Sequence, residues 1–408
     1  MMRLTMLVAL SLGLAATPAL AQEETAPEPT IAPIALGIDA DGLSGPGADI
    51  IREEMAQSQF VMVGEDHGYA GAPQFLGALA AEGADLGFDN YAIEVGPYST
   101  AWLRDVLADG GPDALAKALK GRPLALPFLG NREEAEAAMG FLGEGKLWGV
   151  DQEFIGSPLV HLELLGEGGD PALLGDLTRR EQEAFSTGNQ QAVLMFSMTD
   201  AEWDALEGAF AGNESALDRL AQLRRSATVY KHWVTGRGLD NNLDRIEIIR
   251  EYFLDAYRAA EAREGKPPRV LMKFGATHGS RATTPMNTFD LGPLIEGMAA
   301  ANGMEALHIA YLPLAGKQLA TMPSPDGFFT IKDTDGTKLR ALLVQAGVDI
   351  APIEADKGHF LIPTEPVKRA LRNKGLAELD GMTRFVVLGF DYILTTSAGV
   401  PATPLAER

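Results

Sequence analysis

Apolar and polar positions divide the chain into three stretches. Short apolar runs alternate with segments of helical periodicity across residues 59–151, and the same alternation resumes at residue 269. Short apolar runs separated by helical segments are typical of buried, parallel strands with connecting helices. From 158 to 263 the pattern is helical. The sequence therefore predicts an α/β fold, with a mostly parallel sheet flanked by helices and a helical insertion at residues 158–263.

The predicted strands are apolar runs that end at or near a glycine, a proline or an acid. They cover residues 59–64, 91–95, 147–151, 269–274, 306–312 and 384–390. The predicted helices cover residues 72–82, 99–107, 131–142, 243–260, 291–301 and 336–346, with Ser99 and Asn131 as N-caps. Apolar side chains recur at helical spacing over residues 243–260, which indicates one amphipathic helix.

Two of the predicted strands run into the same short motif. F-V-M-V-G-E-D-H-G at residues 60–68 and V-L-M-K-F-G-A-T-H-G at residues 270–279 each contain Gly-x-x-His-Gly after the apolar run. Ligands bind beyond the carboxyl ends of strands in open α/β sheets, so we expect His67 and His278 to lie together. Two imidazoles at one edge can carry out acid–base chemistry near neutral pH or bind a metal ion.

Acidic residues follow the neighbouring strand ends. Glu65 lies two residues before His67, where its carboxylate can orient the imidazole and raise its basicity. Glu94 ends the second predicted strand, and Asp151 ends the third, with Glu153 two residues on. If the sheet is parallel, these acids line the same edge as the two histidines, where Asp151 and Glu153 are candidates for binding substrate.

Basic residues supply candidate partners for a negatively charged group. Arg281 follows the second motif and can bind a carboxylate or a phosphate, and Arg237 and Arg245 flank the start of the long helix. Lys273 interrupts an apolar strand, and we consider that it extends out of the sheet. Ser280 is a weak candidate nucleophile, because the chain has no G-x-S-x-G motif to expose a serine.

Composition excludes several classes of protein. The 408 residues include no cysteine, which rules out disulfides, cysteine proteases and Fe–S sites. A formal net charge of −22 opposes binding to nucleic acid and to anionic lipid. We therefore expect a small-molecule substrate and no nucleic-acid partner.

The N-terminus has the pattern of a secretory signal peptide at residues 1–21. Arg3 is followed by an apolar stretch and by Ala-Leu-Ala at residues 19–21. Residues 22–33, rich in Pro, Glu and Thr, predict a disordered leader before a single domain at residues 34–400. No later run reaches the ~18 apolar residues that a spanning helix needs. We expect an exported, periplasmic protein without membrane insertion.

Five patches of sequence together resemble a known family. They read V-M-V-G-E-D-H-G, Y-A-I-E-V-G, L-W-G-V-D-Q-E-F, V-L-M-K-F-G-A-T-H-G and, near the C-terminus, G-F-D-Y-I-L. These patches resemble the erythromycin esterase family, within a wider group that includes ChaN-like haem-binding proteins and Tiki-type metalloproteases. The resemblance implies a parallel-sheet core with a helical insertion, and hydrolysis by a base-activated water without a serine acyl-enzyme.

The resemblance also implies roles for particular residues. Glu65 and His67 match the acid and histidine of the family's first motif, Glu94 its second acid, and His278 its second histidine segment. The chain departs from the family at Leu239, where members carry an arginine that Arg237 or Arg245 can replace. The usual Ala-His-Asn-x-His is reduced here to A-T-H-G.

Three functions remain open at this point. The first is hydrolysis of an ester or lactone, with His67 as general base, Glu65 and Glu94 orienting it, and His278 and an arginine stabilising the oxyanion. The second is a Tiki-type metal-dependent hydrolase, with the same two histidines and two glutamates as ligands of Zn, Mn or Fe. The third is a non-enzymatic ChaN-like uptake protein for haem or metal, in which haem ligation would rest on His or Met.

Overall fold

A computed structural model describes residues 30–39, 42–166, 169–324, 327–371 and 380–406. Its strands are β1 (Ile34–Asp39), β2 (Gly42–Ser44), β3 (Ser58–Glu65), β4 (Asn90–Ile93), β5 (Leu147–Gly149), β6 (Val270–Gly275), β7 (Glu305–Tyr311), β8 (Lys317–Ser324), β9 (Gly327–Asp333), β10 (His359–Pro363) and β11 (Tyr392–Thr396). Nine of them form one sheet in the order β2-β1-β10-β11-β7-β3-β6-β4-β5, while β8 and β9 pair separately.

Six neighbouring strands of the sheet, from β11 to β5, run parallel. The remaining three strands, β10, β1 and β2, extend one edge with antiparallel pairing. The predicted α/β class with a mostly parallel sheet is therefore confirmed. The strands that lead to Glu65, Glu94, Asp151 and His278 are direct neighbours, so their carboxyl ends share one edge.

Sixteen helices are described. They are α1 (Pro46–Gln57), α2 (Gly71–Gly83), α3 (Pro97–Ala118), α4 (Arg132–Ala138), α5 (Pro158–Leu165), α6 (Pro171–Thr187), α7 (Leu194–Ser197), α8 (Asp200–Ala209), α9 (Glu214–Val234), α10 (Gly238–Glu264), α11 (Ala276–Gly279), α12 (Leu291–Ala301), α13 (Thr337–Gln345), α14 (Ala351–Ala355), α15 (Thr364–Leu371) and α16 (Gly381–Gly389). The described residues from 158 to 263 contain helices and loops but no strand.

The central strand β3 shows why the apolar runs fold as they do. All eight of its residues are buried. Val61 and Val63 pack into the core on one face, and Phe60 and Met62 pack with Phe253 of α10 on the other. Helices therefore cover both faces of the sheet, as continuous apolar strands require.

The predicted strand at residues 384–390 is wrong. Those residues form α16, and the strand follows as β11. Phe385, Val386 and Val387 are all buried, so the run has no polar side to reveal its period. The N-cap prediction for Ser99 is also wrong. The N-cap residue of α3 is Gly96, and the Ser99 hydroxyl donates to Glu153 instead.

The N-terminal predictions fall largely outside the described residues. The predicted signal peptide at 1–21 and the leader up to residue 29 are not among them. The end of the predicted leader is ordered, because Ile31 is buried and exchanges backbone hydrogen bonds with Gly347 and Asp349. Within the described ranges no helix combines the length and the apolar character needed to cross a bilayer.

Candidate active site

Glu65 and His67 form the first half of the site, at the end of β3. Nδ1 of His67 lies 2.8 Å from Oε1 of Glu65. An ionised carboxylate only accepts, so Nδ1 donates to Glu65, and in the neutral ring the lone pair is then on Nε2. Phe128 stacks on the imidazole with ring centroids 3.6 Å apart and an interplanar angle of 8°. These two contacts fix the ring, while 28% of the His67 side chain stays exposed.

Lys273 lies beneath this pair, inside β6. Its Nζ contacts Oε1 of Glu65 and lies 2.8 Å from Oε1 of Glu134, on α4. Lys273 pairs in register with Val63, so its side chain shares a face with Glu65 two residues on. The suggestion that Lys273 extends out of the sheet is wrong. Two carboxylates compensate for its desolvation in the interior.

The pKa values of Lys273, Glu65 and Glu134 shift in different ways. Burial would lower the pKa of Lys273, but Glu134 and Glu65 outweigh burial and raise it. Burial would raise the pKa of Glu65, but Lys273 and His67 hold it below the usual value. Burial raises the pKa of Glu134 to about 7, against the opposing charge of Lys273. Glu65 therefore stays ionised beside His67, and Glu134 is the acid of the group that takes up a proton.

Glu94 joins the two histidines. It follows β4 directly, and its Oε2 accepts the backbone N–H of Gly275 at 2.7 Å. Nε2 of His67 lies 3.6 Å from Oε2 of Glu94, and Nε2 of His278 lies 3.5 Å from Oε1. Arg245 donates to Oε1 at 2.6 Å. The two histidines of the repeated motif thus face opposite oxygens of one carboxylate.

Glu94 is ionised in this setting. Burial alone would raise its pKa, but the neighbouring side chains of His67, His278 and Arg245, with the Gly275 N–H, hold it well below the usual range. A buried carboxylate surrounded by donors can fix a small polar molecule without taking its proton.

His278 has different surroundings from His67. Its Nδ1 lies 2.9 Å from Asp290, the N-cap residue of α12, and only 6% of its side chain is exposed. Burial would lower the pKa of His278, but Asp290 and Glu94 raise it above 6.5 in spite of nearby Arg245. His278 therefore favours the imidazolium form, which donates rather than accepts.

Arg245 is the arginine that reaches the site. Besides Glu94, it binds both oxygens of Asp151, from Nε at 3.0 Å and from Nη2 at 2.6 Å. It comes from the second turn of α10 and meets the carboxyl end of β5. Arg237, one residue before α10, instead pairs with Asp240 at 2.7 Å and is 57% exposed.

Two other residues predicted to bind substrate belong to separate networks. Glu153 is buried and accepts from Ser99 Oγ at 2.5 Å and from His161 Nε2 at 3.0 Å. It also accepts from the first turn of α3, so it caps that helix. Arg281 pairs with Asp391 and with Glu296. The structure does not bring either residue to the two histidines.

The alternative ligand set for a metal is already occupied by cations. Lys273 contacts Glu65 and Arg245 binds Glu94, so two of the four candidate donors are neutralised. Among the described residues no group of three or more His, Asp or Glu is arranged to hold a metal ion. As placed, the residues do not fit a metal and fit acid–base chemistry.

The sequence missed four contributors to the site. They are Phe128, Glu134 and Asp290, and Lys273 in its buried role. Asp290 directly precedes the predicted helix at 291, which is a recognisable N-cap position. Nothing in the sequence links it to His278. Phe128 lies in a loop and Glu134 in a short helix, and neither carries a signal of its own.

A cavity of about 470 Å³ opens beside His67. Gly275 lines it, and a Cβ at that position would lie 2.7 Å from Nε2 of His67. The cavity therefore comes to the ring of His67, and only glycine at position 275 leaves the space beside Nε2 free. A larger depression of about 770 Å³ beside α3 contains none of the site residues.

Solved structures with the same fold have low sequence identity to this chain. A mutant of the erythromycin esterase EreC in its open conformation has a TM-score of 0.59 at 14% identity, covering 91% of this chain and 98% of that one. A succinoglycan biosynthesis protein has a TM-score of 0.50 at 15% identity, covering 88% and 93%. At these identities the likeness shows the fold alone.

A third structure, of ChaN of Campylobacter jejuni with cofacial haem, has a TM-score of 0.29 at 10% identity, covering 68% of this chain and 91% of that one. That value supports no inference. No family model matches the chain, and no curated protein sequence matches it. On the likeness to the EreC structure alone, the chain has an erythromycin esterase-like fold.

Proposed function

We propose that the protein is a hydrolase that cleaves an ester or lactone with a water molecule activated by His67. One observation carries the proposal. Nδ1 of His67 lies 2.8 Å from Glu65, Nε2 lies 3.6 Å from Glu94, and the His67 side chain lines the cavity. An imidazole fixed through one nitrogen, with its other nitrogen available to a bound water, is the arrangement of a general base.

The reacting water would lie between Nε2 of His67 and Oε2 of Glu94. Both atoms accept hydrogen bonds, so the water donates to both and turns a lone pair towards the substrate carbonyl. As the new C–O bond forms, His67 takes the water's proton and the carbonyl electron pair moves to oxygen. When the tetrahedral intermediate collapses, the C–O bond to the leaving group breaks. His67 then returns the proton to the leaving alkoxide.

Two cations would stabilise the oxyanion. His278 is held towards the imidazolium form by Asp290 and Glu94, and the Arg245 guanidinium also binds Glu94. Positive groups fixed beforehand at the place where charge develops are worth more than mobile ones in water. Lys273 acts indirectly, because it keeps Glu65 ionised and in place beneath His67.

A panel of p-nitrophenyl esters and lactones tests the proposal. We expect hydrolysis of at least one class, and His67→Ala should lower kcat by ~100-fold or more, the usual worth of a positioned base. His232→Ala is the matched control, since His232 pairs with Asp244 outside the site. Undiminished activity of His67→Ala would contradict the proposal.

The route through water has its own test. Single turnover in ¹⁸O-labelled water should place the label in the acid product, with no covalent adduct in the mass spectrum. Thr277, Thr334 and Thr383 line the cavity with hydroxyl groups, and Thr277 is the one of the three closest in sequence to Gly275, so it is the first residue to check for acylation. An acyl group on Thr277 would overturn attack by water.

The metal-dependent and haem-binding alternatives make different predictions. Chelators should abolish activity if a metal is required and have little effect if His67 acts as a base. Haem binding would produce a Soret band on titration of the purified protein. Because Lys273 and Arg245 already bind Glu65 and Glu94, we expect chelators to have little effect. A Soret band would favour the haem-binding alternative over the hydrolase.

We also propose that the protein is exported to the periplasm. The basis is the charged, apolar and Ala-Leu-Ala pattern of residues 1–21. Sequencing of the protein from its native host should begin at Gln22. Retention of Met1 in a cytoplasmic fraction would contradict export.

A further inference from the structure

The cavity beside His67 has an apolar wall. At one end it reaches Glu65, His67 and Gly275. Its apolar lining consists of Ala276, Leu312, Pro313, Leu339, Leu342, Phe385 and Val386. Leu342, Phe385 and Val386 are each at most 5% exposed, so this wall is part of the packed core rather than a loose surface.

The position of the cavity marks it as a binding site. Its walls come from the ends of three adjacent parallel strands, β3, β6 and β7, and from the covering helices α13 and α16. Small molecules bind at this edge of α/β sheets, in cavities of about 300–1,000 Å³. A volume of about 470 Å³ accommodates a small organic molecule.

Charged groups also line the cavity. Asp66, Asp335 and Lys338 also line it, and all three are exposed. Besides Lys338 and Thr383, the helices α13 and α16 contribute only aliphatic and aromatic side chains to the lining, and these offer little to a sugar or a phosphate. A hydrocarbon group that is buried against these side chains gains a favourable transfer free energy.

We propose that the substrate carries a flexible hydrocarbon group next to its ester bond, and that this cavity holds the group during attack on the carbonyl. The inference rests on the proposed function, because the ester must lie at His67. The hydrocarbon is either the acyl chain or the alcohol portion of the ester. Both present the same methylene groups to Leu339, Leu342 and Phe385.

Two homologous series distinguish these sources. One lengthens the acyl chain, from p-nitrophenyl acetate to octanoate, and the other lengthens the alcohol, from methyl to octyl acetate. In the series that fills the cavity, kcat/KM should rise by about fourfold per methylene, equivalent to about 0.8 kcal/mol per buried CH₂. It should then fall once the cavity is full. A flat response in both series would overturn the inference.

A bulky substitution locates the effect. Leu339→Trp narrows the cavity and should shift the preferred chain length downwards by two or more methylenes (~50 Å³ of added side chain). Val344→Trp lies on the same helix, is exposed and does not line the cavity, so it should leave the chain-length profile as in the wild type. The same shift in both variants would count against this cavity.

Binding without turnover separates this inference from the proposed function. Alkyl methyl ketones of the same chain lengths cannot be hydrolysed, and their dissociation constants report the cavity alone. Affinity that rises with chain length in a protein that cleaves no ester would support the cavity and overturn the hydrolase. Ester hydrolysis that depends on His67, with no dependence on chain length in either assay, would support the hydrolase and overturn the role of the cavity.

Discussion

His67 and His278 come from the same sequence motif and face the same carboxylate, yet their surroundings differ. The His67 side chain is 28% exposed and borders the cavity, whereas that of His278 is 6% exposed. Glu65, the partner of His67, also contacts Lys273, whereas Asp290 caps α12 with its other oxygen. The shared motif therefore places both histidines at Glu94, and the other partner of each histidine decides its chemistry. His67 borders the cavity, whereas the surroundings of His278 raise its pKa above 6.5 and so favour its charged form.

The largest expected effect tests the buried side of His67. Lys273→Met leaves Glu65 and Glu134 without their shared cation and should lower the free energy of unfolding by ~3–5 kcal/mol. Lys317→Met is the control, because its pair with Asp333 is exposed and should contribute about 0–1 kcal/mol. Urea denaturation measures both. Equal losses would show that the buried cluster has no special role beneath His67.

The next effect tests the open side of His67. Gly275→Ala places a methyl 2.7 Å from Nε2, where the reacting water would lie, and should lower kcat by ~100-fold, as loss of the base would. Gly77→Ala in α2 is the matched control, since nothing lies within 4 Å of its Cβ. Full activity in Gly275→Ala would mean that Nε2 is not the reacting nitrogen.

A smaller effect tests the charged state of His278. Its pKa in the folded protein is raised above 6.5, so its contribution to stability is complete below pH 6.5 and is lost as pH rises through the higher folded value. The Tm advantage of wild type over His278→Gln should therefore shrink with rising pH, starting near pH 6.5.

His359 supplies the opposite control. Burial lowers the pKa of His359 below 6.5, so folding disfavours its charged form. The wild type should lose stability relative to His359→Gln as pH falls below 6.5, and should recover it above. Parallel pH dependence in the two variants would contradict the assignment of charge to His278.

The smallest effect tests which arginine belongs to the site. Arg237→Ala removes an exposed pair with Asp240 and should change the free energy of unfolding by about 0–1 kcal/mol and kcat/KM by less than about twofold. Arg245→Gln is the comparison, because Arg245 binds Glu94 and Asp151. A larger loss of activity in Arg237→Ala than in Arg245→Gln would reverse the assignment.

The positions of both histidines and of their shared carboxylate could be predicted from the sequence, because apolar runs mark where the strands end. His67, Glu65 and Glu94 follow apolar runs, and a parallel sheet brings such ends to one edge. The choice between Arg237 and Arg245 could not be predicted, since it depends on where α10 begins and on its rotation about its axis.

The buried partners of the site could not be predicted from the sequence for a different reason. Lys273 meets Glu134 across 139 positions of the chain (273 − 134), and only tertiary packing brings them together. The helix α16 was misread because Phe385, Val386 and Val387 are buried and the exposed Leu388 is itself apolar, so the run shows no polar period. The period of apolar and polar residues follows the exposed side of an element, so it cannot identify an element that exposes few polar side chains.

Chemical rescue tests the central claim most directly. The claim is that His67 removes a proton from water while His278 does not. In His67→Ala the lost imidazole leaves space beside Gly275 and the cavity, so added imidazole should restore hydrolysis in proportion to its concentration, with a pH dependence that follows its own titration. His278→Ala should show no such restoration. Rescue of His278→Ala alone would contradict the account, and so would failure of imidazole to restore a folded His67→Ala protein.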